Sequence, residues 1–204
     1  MCYTILRAFF LLFFKICFRL KIFGRETFPL EGSMIVASNH VSFLDPIVVA
    51  VGAPRKLIFL ARDTLFKFRP FGRALNLINT FSVKQEGGDI GAFKLALNKL
   101  SQGDLVVIFP EGTRSEDGNL QKPKHGIGFI QAASGASILP CYVKGSREAL
   151  PRHSFFPRFN QISIYFGKPL KFDKDLFKEH KKIRHRYVAK QVMAAIAELK
   201  ENAN

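Results

Sequence analysis

Tryptophan is absent from the 204-residue sequence, and acidic residues are scarce: 16 Asp and Glu stand against 31 Lys and Arg, a formal net charge of +15. There are only three cysteines, Cys2, Cys17 and Cys141. Their number is odd and their spacing fits no zinc or redox motif, so they read as reduced structural thiols of a cytosolic compartment. Long apolar runs are missing too. The longest uninterrupted one, Ala8 to Phe14, falls far short of the about 20 residues needed to cross a bilayer. Lys15 follows it directly, where a secretory signal peptide would place small residues before a cleavage site. Internal repeats, low-complexity tracts and linkers are absent, as is any Gly-x-Ser-x-Gly elbow that would supply a nucleophilic serine.

What is present is apolar and basic. Apolar residues make up 48% of the chain, enough for a packed core and incompatible with a disordered chain. The excess of cations calls for anionic partners: nucleic acid, an anionic membrane surface, a phosphorylated substrate or an acidic carrier protein. The 22 phenylalanines beside those cations favour a membrane interface. Residues 1–23, MCYTILRAFFLLFFKICFRLKIF, concentrate both features. At helical spacing Arg7, Lys15, Arg19 and Lys21 share one broad sector, and phenylalanines and leucines fill the rest. This predicts an amphipathic helix lying in the membrane interface, in preference to a helix that only packs on the core.

The remainder, 24–204, alternates strand-like and helix-like runs. Strands are expected at 34–38, 57–61, 78–83, 105–109, 137–143 and 161–166. Helices are expected at 46–52, 70–76, 89–101 and 126–135, with a last one from about 173 to 200 capped by Asp173. The run DLVVIFP (104–110) has the continuous apolar character of a strand buried on both faces. The pattern predicts an α/β fold: one domain with a central, largely parallel or mixed β-sheet flanked by helices, preceded by the N-terminal helix.

Two stretches carry chemistry. SNHVSFLDP, Ser38 to Pro46, follows a short apolar strand and sets His40 five residues before Asp45. A histidine accepts a proton near neutral pH, and a carboxylate on one ring nitrogen fixes its tautomer. These are two members of a hydrolase triad without the serine, so the hydroxyl is free to come from a substrate. The plainer alternative is that Asp45 caps a helix with Pro46 at its first position, and that His40 is structural. FPEGTRS, Phe109 to Ser115, leaves the end of the buried strand, the place where open α/β sheets bind ligands. Gly112 permits close backbone approach, Thr113 and Ser115 offer hydroxyls, and Arg114 offers a planar fork suited to phosphate. Glu111 has no evident task in binding an anion and is open to orienting Arg114 or shaping a pocket.

Asn39-His40-x-Ser42-x-x-Asp45 together with Phe109-Pro110-Glu111-Gly112-Thr113-Arg114-Ser115 resembles the 1-acyl-sn-glycerol-3-phosphate acyltransferases. LFKFRPFGRALNLINTFSV (65–83) and ILPCYVKG (138–145) resemble the family's two weaker blocks. The resemblance covers residues 25 to about 170. It implies His40 as general base on the glycerol hydroxyl of a lysophospholipid, Asp45 as its orienting carboxylate, and Glu111, Gly112, Thr113 and Arg114 as the acceptor-phosphate site. It implies an acyl-carrier-protein or coenzyme A thioester as donor, no metal and no other cofactor. The cytoplasmic face of a membrane is the expected location, held by the anionic surface.

One position departs from the family pattern: Val83-Lys84-Gln85 puts Gln85 where an arginine is usual, which leaves another lysophospholipid or hydroxyl-lipid acceptor as the alternative substrate. A non-catalytic basic module binding membrane or nucleic acid is the rival from another class. FKFRPFGR (66–73) and PRHSFFPRF (151–159) read as membrane- or donor-facing edges rather than nucleic-acid patches. His125 reads as a solvated loop residue, and the basic run 178–190 as a solvated helix face or a docking face for an acidic carrier.

Overall fold

The central apolar runs become the inner strands of one sheet because they are buried on both sides. In the computed structural model, which describes residues 2–62, 80–83, 90–152, 154, 156–173, 175, 177 and 179–203, seven strands pair in the order β1-β7-β6-β2-β5-β3-β4. They are β1 (Lys21–Phe23), β2 (Met34–Ser38), β3 (Leu57–Arg62), β4 (Thr80–Val83), β5 (Leu105–Ile108), β6 (Ser137–Lys144) and β7 (Ser163–Phe166). All neighbouring pairs are parallel except β6 with β7. The sheet is therefore mixed and largely parallel, as the alternating pattern predicts.

The helices are α1 (Cys2–Cys17), α2 (Asp45–Gly52), α3 (Ile90–Ser101), α4 (Gly126–Ser134), α5 (Ser146–Ala149) and α6 (Lys181–Asn202). Side chains alternate across the strands. Met34 and Val36 of β2, Leu57 and Phe59 of β3, and Leu105 and Val107 of β5 face a core shared with α1 and α2. Ile35 and Ala37, Ile58, and Val106 face a second core built with α3, α4 and α6. Two apolar layers on one sheet explain why these strands read as continuous runs rather than alternating ones.

The N-terminal helix is shorter than 1–23. It ends at Cys17, Arg19 takes a left-handed φ of 47°, and the chain turns so that Lys21–Phe23 pair with Ser163–Tyr165. The strand β1 was hidden in the sequence because its residues continue the basic-apolar pattern of the helix. The last helix starts at Lys181, not 173. Asp173 closes a local turn by accepting the Asp175 N–H at 3.0 Å, and no side chain caps the helix. The expected helix 70–76 lies outside the described residues, as do 78–79 of the expected strand 78–83, the patch 66–73, and Lys84 and Gln85.

Candidate active site

The two sequence motifs meet because their strands are neighbours in register. Ala37 of β2 pairs with Ile108 of β5, so His40 and Glu111, each three residues further on, leave the sheet side by side at its carboxyl edge. The His40 N–H donates to Glu111 Oε1 at 2.8 Å, and the Ser115 N–H donates back to the His40 carbonyl at 2.7 Å. Asn39 ties the same corner to β6. Its side-chain amide donates to the Val143 carbonyl at 3.0 Å and accepts the Val143 N–H at 2.8 Å, continuing the sheet ladder with a side chain.

His40 Nδ1 lies 3.0 Å from Asp45 Oδ2. Asp45 is fully buried, and His40 keeps 18% of its side-chain surface. The same Oδ2 accepts the N–H groups of Val41 and Ser42, both at 2.7 Å. Oδ1 accepts the Ser146 hydroxyl at 2.5 Å. Four donors therefore hold one buried carboxylate, so both its oxygens are paired away from water. The helix-cap alternative falls away. Asp45 belongs to α2 itself, Leu44 precedes the helix without a side-chain bond, and the carboxylate binds amides upstream of the helix.

With Nδ1–H committed to the carboxylate, Nε2 of His40 carries the lone pair, which is the tautomer of a general base. The Phe109 ring stacks on the imidazole at a centroid distance of 4.1 Å and a tilt of 21°, restraining its rotation. Ser42 donates its hydroxyl to the Leu150 carbonyl and accepts the Leu44 N–H, which shapes the turn between His40 and Asp45.

The sequence left Glu111 between two tasks, and its bonds point to a third. It is 3% exposed, and its second oxygen accepts the Gln121 N–H at 2.9 Å. Burial pushes its carboxyl above the ordinary range, while the amides of Gln121 and His40 pull the other way. Glu111 is thus the clasp between the His40 segment and the FPEGTRS loop. Gly112 takes a left-handed φ of 74°, a conformation that favours glycine. Thr113 is exposed. The Arg114 guanidinium lies 3.5 Å from the Phe43 ring centroid, and its Nη1 is buried with no hydrogen-bond partner among the described residues. Burial, then the neighbouring Arg152, lowers its affinity for its proton. Arginine nonetheless stays charged in proteins, so this is an unneutralised cation with a free donor. The turn closes through Asn119 and then Ser115 bonding Asp117, and these bonds lower that exposed carboxyl to about 2.

Several residues of the site were not singled out from sequence. Ser146 follows the block ILPCYVKG directly. The signal was a Gly-Ser pair at the end of an apolar strand: Gly145 has φ 85°, and a Cβ there would sit 2.1 Å from the Gln161 carbonyl oxygen. Phe43 and Phe109 act through their rings. Arg152 donates to the Arg114 carbonyl at 3.0 Å and pairs with Glu116 at 3.1 Å, so part of the aromatic-basic segment 151–159 braces the loop. His125 is exposed beside α4. Cys141 is buried, which raises its thiol far beyond nucleophilic use, and Cys17 and Cys141 are both free. Among the described residues no group of three or more His, Cys, Asp or Glu side chains is arranged to hold a metal ion.

Comparisons with known proteins place this geometry. The family model described as Acyltransferase matches residues 19–144. The 1-acyl-sn-glycerol-3-phosphate acyltransferase of Bacillus subtilis is 30% identical over 152 residues, covering 74% of this chain and 73% of that protein. The chloroplastic 1-acyl-sn-glycerol-3-phosphate acyltransferase LPAT1 of Arabidopsis thaliana is 29% identical over 67% of this chain, but the match spans only 39% of that longer protein. The crystal structure of the 1-acyl-sn-glycerophosphate (LPA) acyltransferase PlsC from Thermotoga maritima superposes with a TM-score of 0.69 at 26% identity, covering 89% of this chain and 72% of that one. With the histidine–aspartate pair, the FPEGTRS loop and the mixed sheet all in the expected places, the chain belongs to the acyltransferase family, among the 1-acyl-sn-glycerol-3-phosphate acyltransferases.

Proposed function

We propose that the chain moves a fatty acyl group from an acyl thioester to the free hydroxyl of 1-acyl-sn-glycerol-3-phosphate, forming phosphatidic acid. The observation that carries this reading is the His40–Asp45 pair, one strand away from a loop bearing an unneutralised arginine. In the reaction, His40 Nε2 accepts the hydroxyl proton as the acceptor oxygen attacks the thioester carbonyl. Asp45 stabilises the imidazolium that forms. The tetrahedral intermediate collapses, the carbon–sulfur bond breaks, and the proton passes from Nε2 to the departing thiolate. The attacking oxygen belongs to the substrate, so no acyl-enzyme forms.

Arg114 holds the acceptor phosphate, with Gly112 and Thr113 lining the approach. Glu111 supports them from behind, through its bonds to the backbone. The donor is an acyl-carrier-protein or coenzyme A thioester. Its acidic or phosphorylated carrier suits a chain of net charge +15.

The same reading sets the chain on the cytoplasmic face of a membrane. No helix among the described residues is long and apolar enough to cross one. α1 instead turns Phe14 into the core and leaves a stripe of Ile5, Phe9, Leu12 and Ile16 at 59–68% exposure. This spacing is one helix face, and Lys15 and Arg19 are exposed beside it, as an interfacial helix requires. Arg7 does not join those cations, because it turns inward to the Ala53 and Pro54 carbonyls at the end of α2.

The test is product identity. Purified chain in detergent, given lysophosphatidic acid and an acyl thioester, yields phosphatidic acid by mass spectrometry. Acyl transfer to a different lysophospholipid, with none to lysophosphatidic acid, overturns the reading.

A further inference from the structure

We infer that Lys124 is the second cation of the acceptor-phosphate pocket, a specificity-determining residue that works beside Arg114; the inference rests on the acyltransferase reading above. A Cβ built on Gly112 would lie 2.7 Å from Lys124 Cδ, 2.8 Å from Cε and 3.0 Å from Nζ. The lysine side chain therefore occupies the space that any other residue at position 112 would fill. Its backbone is pinned there, since the Lys124 N–H donates to the Pro110 carbonyl at 2.8 Å. The segment 120–124 thus returns over the FPEGTRS loop and lays an ammonium group against its glycine.

The charges around that ammonium are unbalanced. Glu111, the nearest carboxylate in sequence to Gly112, is buried and committed to the amides of His40 and Gln121. Glu116 pairs with Arg152. Asp117 is held by Ser115 and Asn119. Among the described residues, Lys124 has no ion-pair partner, and Arg114 Nη1 has no acceptor. Lys124, a compact point charge, lies against Gly112, and Arg114, a planar fork, stands two residues further along the same loop over Phe43. A phosphate monoester, carrying up to two negative charges, is the ligand chemistry that matches.

Gly112 serves two purposes: its left-handed backbone, and the room it leaves for the lysine.

The test compares Lys124→Gln, Lys124→Arg and, as a control on the same loop, Lys122→Gln. The readouts are the KM for lysophosphatidic acid and the inhibition constant of the matching phosphate-free monoacylglycerol. Lys124→Gln is expected to raise KM for lysophosphatidic acid at least tenfold, with the preference for the phosphorylated molecule falling by the same factor. Lys124→Arg recovers most of it, and Lys122→Gln behaves as the parent chain. An unchanged KM in Lys124→Gln, or an equal weakening of both molecules, overturns the inference. A parent chain that does not acylate lysophosphatidic acid overturns the functional reading instead.

Discussion

The N–H of His40 donates to Glu111 Oε1 at 2.8 Å across 71 positions of sequence. This bond joins the segment that carries His40 to the FPEGTRS loop, so the proposed base and the proposed phosphate site are held at a fixed separation. Catalysis by proximity depends on such fixed spacing, because misplacement of about 1 Å can cost about 100-fold in rate.

Glu111→Ala leaves two backbone amides, those of His40 and Gln121, without their acceptor. The expected loss is about 2 kcal/mol or more of folding stability, read as a lowered Tm, together with a fall in kcat. Glu111→Gln, which keeps one acceptor oxygen, loses less. A Glu111→Ala chain with parental Tm and kcat would show that the clasp carries no weight.

Ser146 donates to the Asp45 oxygen that His40 does not use. Removing that hydroxyl lets the carboxylate rotate and leaves a buried charge one donor short. Ser146→Ala is expected to lower kcat about tenfold, equivalent to about 1.4 kcal/mol, with little change in acceptor KM. Ser146→Thr recovers activity, because it restores the donor. Steady-state kinetics of the two variants checks both halves.

Arg114 offers a fork and a flat face, and the face rests on Phe43. Lysine reproduces neither. Arg114→Lys is expected to raise the KM for lysophosphatidic acid roughly tenfold, about the worth of one charge-assisted hydrogen bond, with a smaller effect on kcat. A uniform loss of kcat at constant KM would assign Arg114 to the chemical step instead.

The exposed stripe of α1 gives a membrane test. Replacing Phe9, Leu12 and Ile16 with serine removes apolar contacts worth about 1.5–3 kcal/mol each on full burial. Co-sedimentation with anionic vesicles should fall steeply, while turnover of a short-chain, water-soluble acceptor persists. Arg7→Ala acts differently, because its guanidinium binds the end of α2: it lowers Tm rather than vesicle affinity.

Much of this is legible in the sequence. Continuous apolar runs such as Leu105–Ile108 announce strands buried on both faces, and the two motifs, each at a strand end, meet at one sheet edge as the family resemblance implies. What stayed hidden depends on contacts distant in sequence. Nothing near Ser146 reveals that it reaches Asp45, 101 positions away, and nothing near Glu111 shows that backbone amides consume both its oxygens. Strand β1 was concealed because Lys21–Phe23 owes its conformation to pairing with β7, not to its own pattern. Arg7 fitted a lipid-facing sector by helical spacing, and only the position of α2 shows what it binds.

The central claim is that His40 is the base for a substrate hydroxyl. The most direct measurement is thiol release from an acyl thioester, with and without lysophosphatidic acid, by the parent chain and by His40→Ala. The account predicts acceptor-dependent release that falls about 100- to 10,000-fold in the variant, the usual worth of a general base, with Tm nearly unchanged. A folded His40→Ala chain that releases thiol at close to the parental rate would contradict it.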